Sequence, residues 1–465
     1  MSYAPIRSTP NLDHGAAAQK KHSIPARILS PPGSRRPAAK GQRSIADNGT
    51  LSSASPIIVH CHLCWDWVWQ RPQQFISRLS RRHPVLFVET LAPDPTLAAP
   101  SARFRTPENL PNLTILTLQF PTWCWNDAAF VDAERRQIVQ RFIAGRTAEQ
   151  FDRPIQWFYD PMAVTAFAGQ MGEILTVYDC MDELSRFRGA PPEIIERERK
   201  LLARADVVFT GGRKLFEAKS RSHRNCHFYG CGVDGAHFGQ ARLSKTQLPP
   251  DIKKIPKPVL GYFGVVDERM DYELLVQLAE ARADWSVVVI GPTAKVESGD
   301  LPRRPNLHWL GQRSYAELPA LCKAFDLCLM PFALNEATEF INPTKALEYM
   351  ATGREIVSTA VPDVVSNFGS VVHIANTSTE FVALCEQTLA HRDEERIRRG
   401  LKMVEENSWE AIVATLEGHI VEALRRDHQT ARPQDNGNDR PGPRNGRIED
   451  RGRGRGRARV AEVGA

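Results

Sequence analysis

No apolar run in the 465 residues approaches the length of a bilayer span, and the Arg35-Arg36 pair is not followed by the apolar stretch of an export signal. A membrane-spanning or exported chain is therefore not expected. A disulfide framework is missing too, since the nine cysteines are odd in number and scattered through strand-like and helix-like segments, which fits a reducing compartment. Cys61 and Cys64 form a CxxC without a second pair, and Cys61 falls inside a strand-like run, so no metal site is expected. The expected location is the cytoplasm.

The formal charge of +6 belongs to the ends of the chain. Residues 1–55 hold eight Lys/Arg against two Asp/Glu and residues 425–465 hold eleven against six, which leaves the stretch between them negative by about five. Both ends lack hydrophobic periodicity, so residues 1–55 and 427–465 read as disordered tails. The closing "RGRGRGRAR" reads as a solvated tail that permits peripheral contact with an anionic membrane; nucleic acid is not an expected partner.

What is present between the tails is an alternation of short apolar runs with helix-like stretches. "IIVHC", "VLFVE", "LTILTL", "IQWFY", "LTVYD" and "DVVFTG" form one series, and after the Lys/Pro-rich "QLPPDIKKIPKP" a second follows: "VLGYFGVV", "WSVVVIG", "LHWLG", "LCLMPF", "EIVSTAV" and "VVHIA". Such Val/Ile/Leu-rich runs predict parallel strands covered on both faces, hence an α/β chain of two doubly wound domains. The expected boundaries are 56–240 for the first domain, 241–257 for a linker, 258–408 for the second domain and 409–426 for a closing helix. Ligands of such sheets bind beyond the carboxyl ends of the strands, so the cleft between the domains is the expected site.

Four stretches carry candidate chemistry. In "FINPTKALEYM", Asn342 suits a helix N-cap and Pro343 the first helical position, leaving outward amides for a diphosphate. Thr344, Lys345 and Glu348 are spaced to share one face, with Lys345 suited to phosphate and Glu348 to ribose hydroxyls; a capped helix with a salt-bridged lysine is the plain reading. In "GYFGVVDERMD", Gly264 permits close backbone approach and Arg269 precedes a helix, which suits an anion as well as it suits a simple turn. In "LTVYDCMDEL", Asp179 and Asp182 stand at the end of a strand, placed for an acceptor hydroxyl, for general-base work or for an ordinary helix cap. In "CWDWVWQRPQQ", Trp65 and its neighbours are either core or a sugar platform, and Arg71 is the better candidate for an anion contact.

These stretches, with "VYDCMDELSRFRGAPPE", "ARADVVFTGGRKLFEAK", "GVDGAHF" and "NPTKALEYMATG", resemble the family 4, or group 1, glycosyltransferases over about residues 56–424, and most of all the bacterial teichuronic-acid-type cell-surface polysaccharide subgroup. The resemblance implies the GT-B fold, a nucleotide-sugar donor held by the second domain, and retaining transfer to a glycan or lipid-linked acceptor held by the first. It implies no metal and no cofactor, the nucleotide-sugar being a substrate. Arg269 and Lys345 carry over as the pair that stabilises the leaving diphosphate; Gly264, Gly311, Asn342, Thr344 and Glu348 fall to the donor, and Trp65, Asp66 and Arg71 to the acceptor side. The sequence departs from the family where Phe340, not a glutamate, stands eight residues before Glu348, so the donor-sugar role passes to Glu339, Glu336 or backbone amides. Tyr178-Asp179 replaces the family's His-Asp, which gives the acceptor role to Asp179 or Asp182. A GT-B epimerase and a non-catalytic sugar-nucleotide-binding protein are the alternatives.

Overall fold

The computed structural model describes residues 55–145 and 150–430, so the expectations for the two tails fall largely outside the described residues. Two sheets organise the chain. The first contains β1 (Ile57–Cys61), β2 (Val85–Thr90), β3 (Ser101–Arg105), β4 (Leu113–Gln119), β5 (Ile155–Phe158), β6 (Leu175–Cys180), β7 (Val207–Thr210) and β8 (Cys226–Phe228). Its order is β3-β4-β2-β1-β5-β6-β7-β8, and every pairing is parallel except β3 with β4. The second contains β9 (Val259–Phe263), β10 (Ser286–Ile290), β11 (Leu307–Trp309), β12 (Leu327–Met330), β13 (Ile356–Thr359) and β14 (His373–Ala375), all parallel, in the order β11-β10-β9-β12-β13-β14.

The apolar runs became strands because both faces of each sheet are covered: β1, β5, β9, β10, β12 and β13 are buried at every position. Two strands escaped the sequence reading. β3 is the edge strand "SARFR", whose arginines keep an exposed edge from pairing with another chain, and β8 is only three residues long. In each sheet the strand order reverses beside the first strand, between β1 and β5 and between β9 and β12. These are the places where crevices open at the carboxyl ends.

The last helix, Trp409–Thr430, packs against the first sheet's helix Arg71–Leu79. Trp409 is fully buried edge-on to Phe75, and Val413, Leu416, Ile420 and Leu424 join the same core. Each such side chain contributes about 1.5–3 kcal/mol by leaving water. An ion pair and a hydrogen bond flank the seam, with Arg78 Nε 2.8 Å from Glu410 and His83 Nε2 3.1 Å from Glu417 Oε1.

The two halves also touch directly. Asn342 Nδ2 donates to Gly211 O at 3.1 Å, and the Asp363 carboxylate accepts from the amides of Arg213 at 2.7 Å and Lys214 at 3.4 Å. Gly212 is required there, because a Cβ would lie 2.7 Å from Asp363 Oδ2. On the other rim, Gln312 donates to Trp67 O at 3.2 Å and Tyr315 stacks on Trp69 at 5.6 Å between ring centroids.

Candidate active site

β9 ends at Phe263, and the backbone then turns through Gly264 at φ +146°, a conformation L side chains rarely adopt. A Cβ at Gly264 would lie 2.1 Å from Lys345 Cε, so the missing side chain is the space into which Lys345 extends. Lys345 Nζ lies 5.7 Å from the centre of the Tyr262 ring and makes no hydrogen bond or ion pair with a described residue. Burial lowers its pKa, opposed by the negative charge of Glu348.

Glu348 lies one turn along the same helix and is 8% exposed. Its carboxylate also makes no hydrogen bond with a described residue, and burial pushes its pKa up to about 7 against the opposing pull of Lys345. A half-buried cation and a buried carboxylate on one helix face, neither paired with a described residue, are costly to the free protein unless a ligand completes them.

The helix itself begins later than expected. It spans Lys345–Ala351 with Thr344 at the N-cap position and no side-chain cap, so Asn342 is not the cap. Asn342 instead ties to Gly211 across the domains, and its own carbonyl accepts from Cys231 Sγ at 3.1 Å. The Ala346 amide, expected to point outward, donates to Pro343 O at 3.3 Å. A seven-residue helix also has little macrodipole, so the cationic character here comes from side chains.

Arg269 is held by Asp267: Nη2 reaches Oδ2 at 2.7 Å and Nε reaches Oδ1 at 3.0 Å. Burial alone would lower the Arg269 pKa, but the Asp267 carboxylate outweighs it and the net shift is upward. Nη1 is left without a partner among the described residues. Across the cleft, the loop after β6 covers this residue. The Phe187 ring lies 5.5 Å from the Arg269 guanidinium, and Arg188 Nη2 donates to Lys295 O at 2.6 Å. Asp182 belongs to the same cluster; burial raises its pKa to about 6, with Arg269, Arg71 and Lys345 pulling it down and Asp267 pushing it up.

Other expected residues lie elsewhere. Asp179 is not at the cleft: β6 runs on to Cys180, and the Asp179 carboxylate is 0% exposed, 2.8 Å from Arg71 Nε. Arg71 is correspondingly committed, donating from Nη1 to Tyr229 O at 2.7 Å and lying 4.5 Å above the Phe75 ring. Trp65 is core, edge-on to Phe87, while its amide donates to Glu89 Oε2 at 2.7 Å. Asp66 is exposed and ion-paired with Arg105. Glu339 stands half-exposed 3.8 Å from Lys214, and Glu336 pairs with Arg186 at 3.1 Å, so both glutamates turn to the first half and leave the Lys345 cluster.

A cavity of about 750 Å³ separates the two halves. The first half supplies His62, Asp66, Trp67 and Glu89, and the second supplies Gly291 and Gly311. It adjoins the Lys345 cluster through the backbone, because a Cβ on Gly291 would fall 1.8 Å from Gly264 O. Glu89 and His62 were not singled out in the sequence. Glu89 follows the apolar run of β2 and its pKa is raised by burial, although the Trp65 amide and the Thr117 hydroxyl at 2.7 Å both stabilise its charged form. The rule applied to Asp179, a carboxylate at the end of an apolar run, would have found it.

Residues 257–391 match the family model described as glycosyl transferases group 1. A Bacillus subtilis protein provisionally named a teichuronic acid biosynthesis glycosyltransferase is 26% identical over 243 residues, covering 47% of this chain and 59% of its own length. Among solved structures, a trehalose-6-phosphate protein from E. coli bound with UDP-2-fluoro glucose superposes with a TM-score of 0.56 at 14% identity, covering 80% of this chain and 99% of that one. Sucrose-phosphate synthase from Thermosynechococcus elongatus superposes with a TM-score of 0.57 at 14% identity, covering 80% and 100%. At such identities these two structures speak for the fold alone: two doubly wound bodies facing a cleft. The chain thus has the GT-B fold, and its residues 257–391 are similar to the group 1 glycosyl transferases.

Proposed function

We propose that the chain moves a sugar from a nucleotide-sugar donor to a hydroxyl of a glycan or lipid-linked acceptor in cell-surface polysaccharide synthesis, with retention of configuration and without a metal ion. The observation that carries this reading is a half-buried Lys345 and a buried Glu348 on one face of a helix beside Gly264, neither hydrogen-bonded nor ion-paired with a described residue. A diphosphate would satisfy Lys345 and the free Nη1 of Arg269, and ribose hydroxyls would donate to Glu348.

As the bond between the sugar's anomeric carbon and the diphosphate oxygen breaks, negative charge gathers on the diphosphate, where Arg269 and Lys345 stabilise it. The acceptor oxygen bonds to the anomeric carbon from the same face, and its proton passes to an oxygen of the departing diphosphate. This route needs no separate protein base, and the two cations do the work a divalent ion would do. Asp182, in the same cluster, is the protein group suited to orient the acceptor hydroxyl. Closure of the cleft, tied at Asn342, Asp363 and Gln312, keeps water from competing.

One observation favours sugar-nucleotide binding without transfer: Glu336 and Glu339 are ion-paired to the first half and not at the donor. Two measurements test these readings. UDP-, GDP-, ADP- and dTDP-sugars are screened for a rise in Tm of the wild type, Lys345→Ala and Glu348→Ala, and at least one is expected to stabilise the wild type and neither variant. A glycosylated product is then sought with that donor. If no nucleotide-sugar raises the wild-type Tm, the proposal fails at its first step.

A further inference from the structure

A second cavity, of about 380 Å³, lies wholly in the first half at the carboxyl ends of β1, β2 and β5, where Cys61, Thr90 and Asp160 reach it. The helix Ala128–Ala144 brings Asp132 and Arg135 to its wall on one face, three residues apart, and the helix Ile194–Arg204 brings Arg197. Asp132 is taken by Arg197, with Nη1 2.9 Å from Oδ2, and Arg197 also donates to Met162 O at 2.6 Å. Asp160 accepts the Met162 amide through Oδ1 at 2.9 Å.

Arg135 is left over. It is 9% exposed, its Nε is buried without an acceptor, and its guanidinium makes no hydrogen bond or ion pair with any described residue. The Phe120 ring centre lies 6.0 Å from its guanidinium carbon, at the far limit of a cation–π contact. A guanidinium buried in this way needs an anion, and its planar fork suits the paired oxygens of a phosphate or carboxylate. Burial draws the Arg135 pKa down, Asp160 and Asp132 oppose it, and Arg197 adds to the lowering.

We propose that this cavity holds an anionic acceptor, a sugar or polyol bearing a phosphate or a carboxylate, with Arg135 gripping the anion. Asp160 Oδ2, which has no partner among the described residues, accepts from a hydroxyl of the same molecule. His62 lines both this cavity and the larger one between the halves, so an acceptor anchored at Arg135 extends past His62 toward the donor. The volume suits a monosaccharide-sized group. Arg135 becomes a specificity-determining residue. The assignment of this ligand as an acceptor rests on the transferase reading; the anion preference does not.

The test uses the full chain with and without saturating nucleoside diphosphate, and calorimetry with glucose, glucuronate, glucose 6-phosphate and inorganic phosphate. At least one anionic sugar is expected to bind tenfold or more tightly than glucose, and whether glucuronate or glucose 6-phosphate does so identifies carboxylate or phosphate as the natural group. Arg135→Gln should remove the preference and Arg135→Lys should keep part of it. Thr90→Glu, which puts a carboxylate in the cavity without touching Arg135, should also remove it. Nucleoside-diphosphate affinity should stay within twofold in every variant, which certifies the fold; if Arg135→Gln fails that check, Thr90→Glu decides. Equal binding of glucose and the anions, or a preference that survives in a variant passing the fold check, overturns the proposal. Anion binding without any nucleoside-diphosphate binding would instead overturn the transferase reading alone.

Discussion

Two buried charge sites lie on opposite sides of the cleft and differ in one respect. Arg71 and Asp179 in the first half are fully withdrawn from water and joined at 2.8 Å, with backbone carbonyls taking up much of the remaining guanidinium. In the second half Glu348 is buried and Lys345 half-buried, yet neither has a hydrogen-bond or ion-pair partner among the described residues. Burial of charge is thus not by itself a mark of function. The paired site is scaffold, joining the first helix to the sixth strand, and the unpaired site is where a ligand would be expected.

The comparison breaks or sharpens by mutation. The largest effect is expected at the scaffold pair: Arg71→Ala or Asp179→Ala, each leaving an uncompensated buried charge, should cost about 3–5 kcal/mol in urea unfolding of the free protein. Lys345→Ala should leave that stability unchanged or raised, while reducing turnover about 10²–10³-fold, as measured with the donor found in the nucleotide-sugar screen. A stability loss at Lys345 matching that at Arg71 would erase the distinction.

Glu348 gives a smaller and pH-dependent effect. Its folded pKa, about 7, lies above the ordinary carboxylate value, so its protonated form is the one the fold favours. The stability it contributes is full below about pH 4.5 and is lost as pH rises through about 7. Glu348→Gln should therefore be more stable than the wild type by about 1–3 kcal/mol at pH 8 and lose the difference at pH 4, as read by chemical denaturation. Donor affinity should run the other way in the wild type, rising as pH passes through 7, because ribose hydroxyls bind the ionised form. The smallest effect is expected from chelation: EDTA should change the transfer rate less than twofold.

Much of this was legible in the sequence because period and composition report burial on both faces of a strand, and each of the twelve apolar runs holds one. The helix start at Lys345 was misplaced because Asn342, a good cap by type, finds a better partner in Gly211 of the other half. Asp179 was misread for a related reason: residue type marks a charged group at a strand end but not whether Arg71, 108 positions away, lies within 2.8 Å of it. Asp267, Glu89 and His62 escaped notice because their roles come from what surrounds them. Lys345, Glu348 and Arg269 were singled out because a glycine turn and a helix start concentrate the signal locally, and the fold brings the three near one another.

The chain passes between the two halves twice, once between Cys231 and Val233 and once between Val404 and Trp409. The passages lie side by side, since the Val233 amide donates to Asn407 O at 2.9 Å and Val233 bridges Ser408. Two adjacent tethers act as a pair of hinge pins. Two crossings so placed favour swinging over sliding, so any opening of the cleft is expected to return the same residues to register across it.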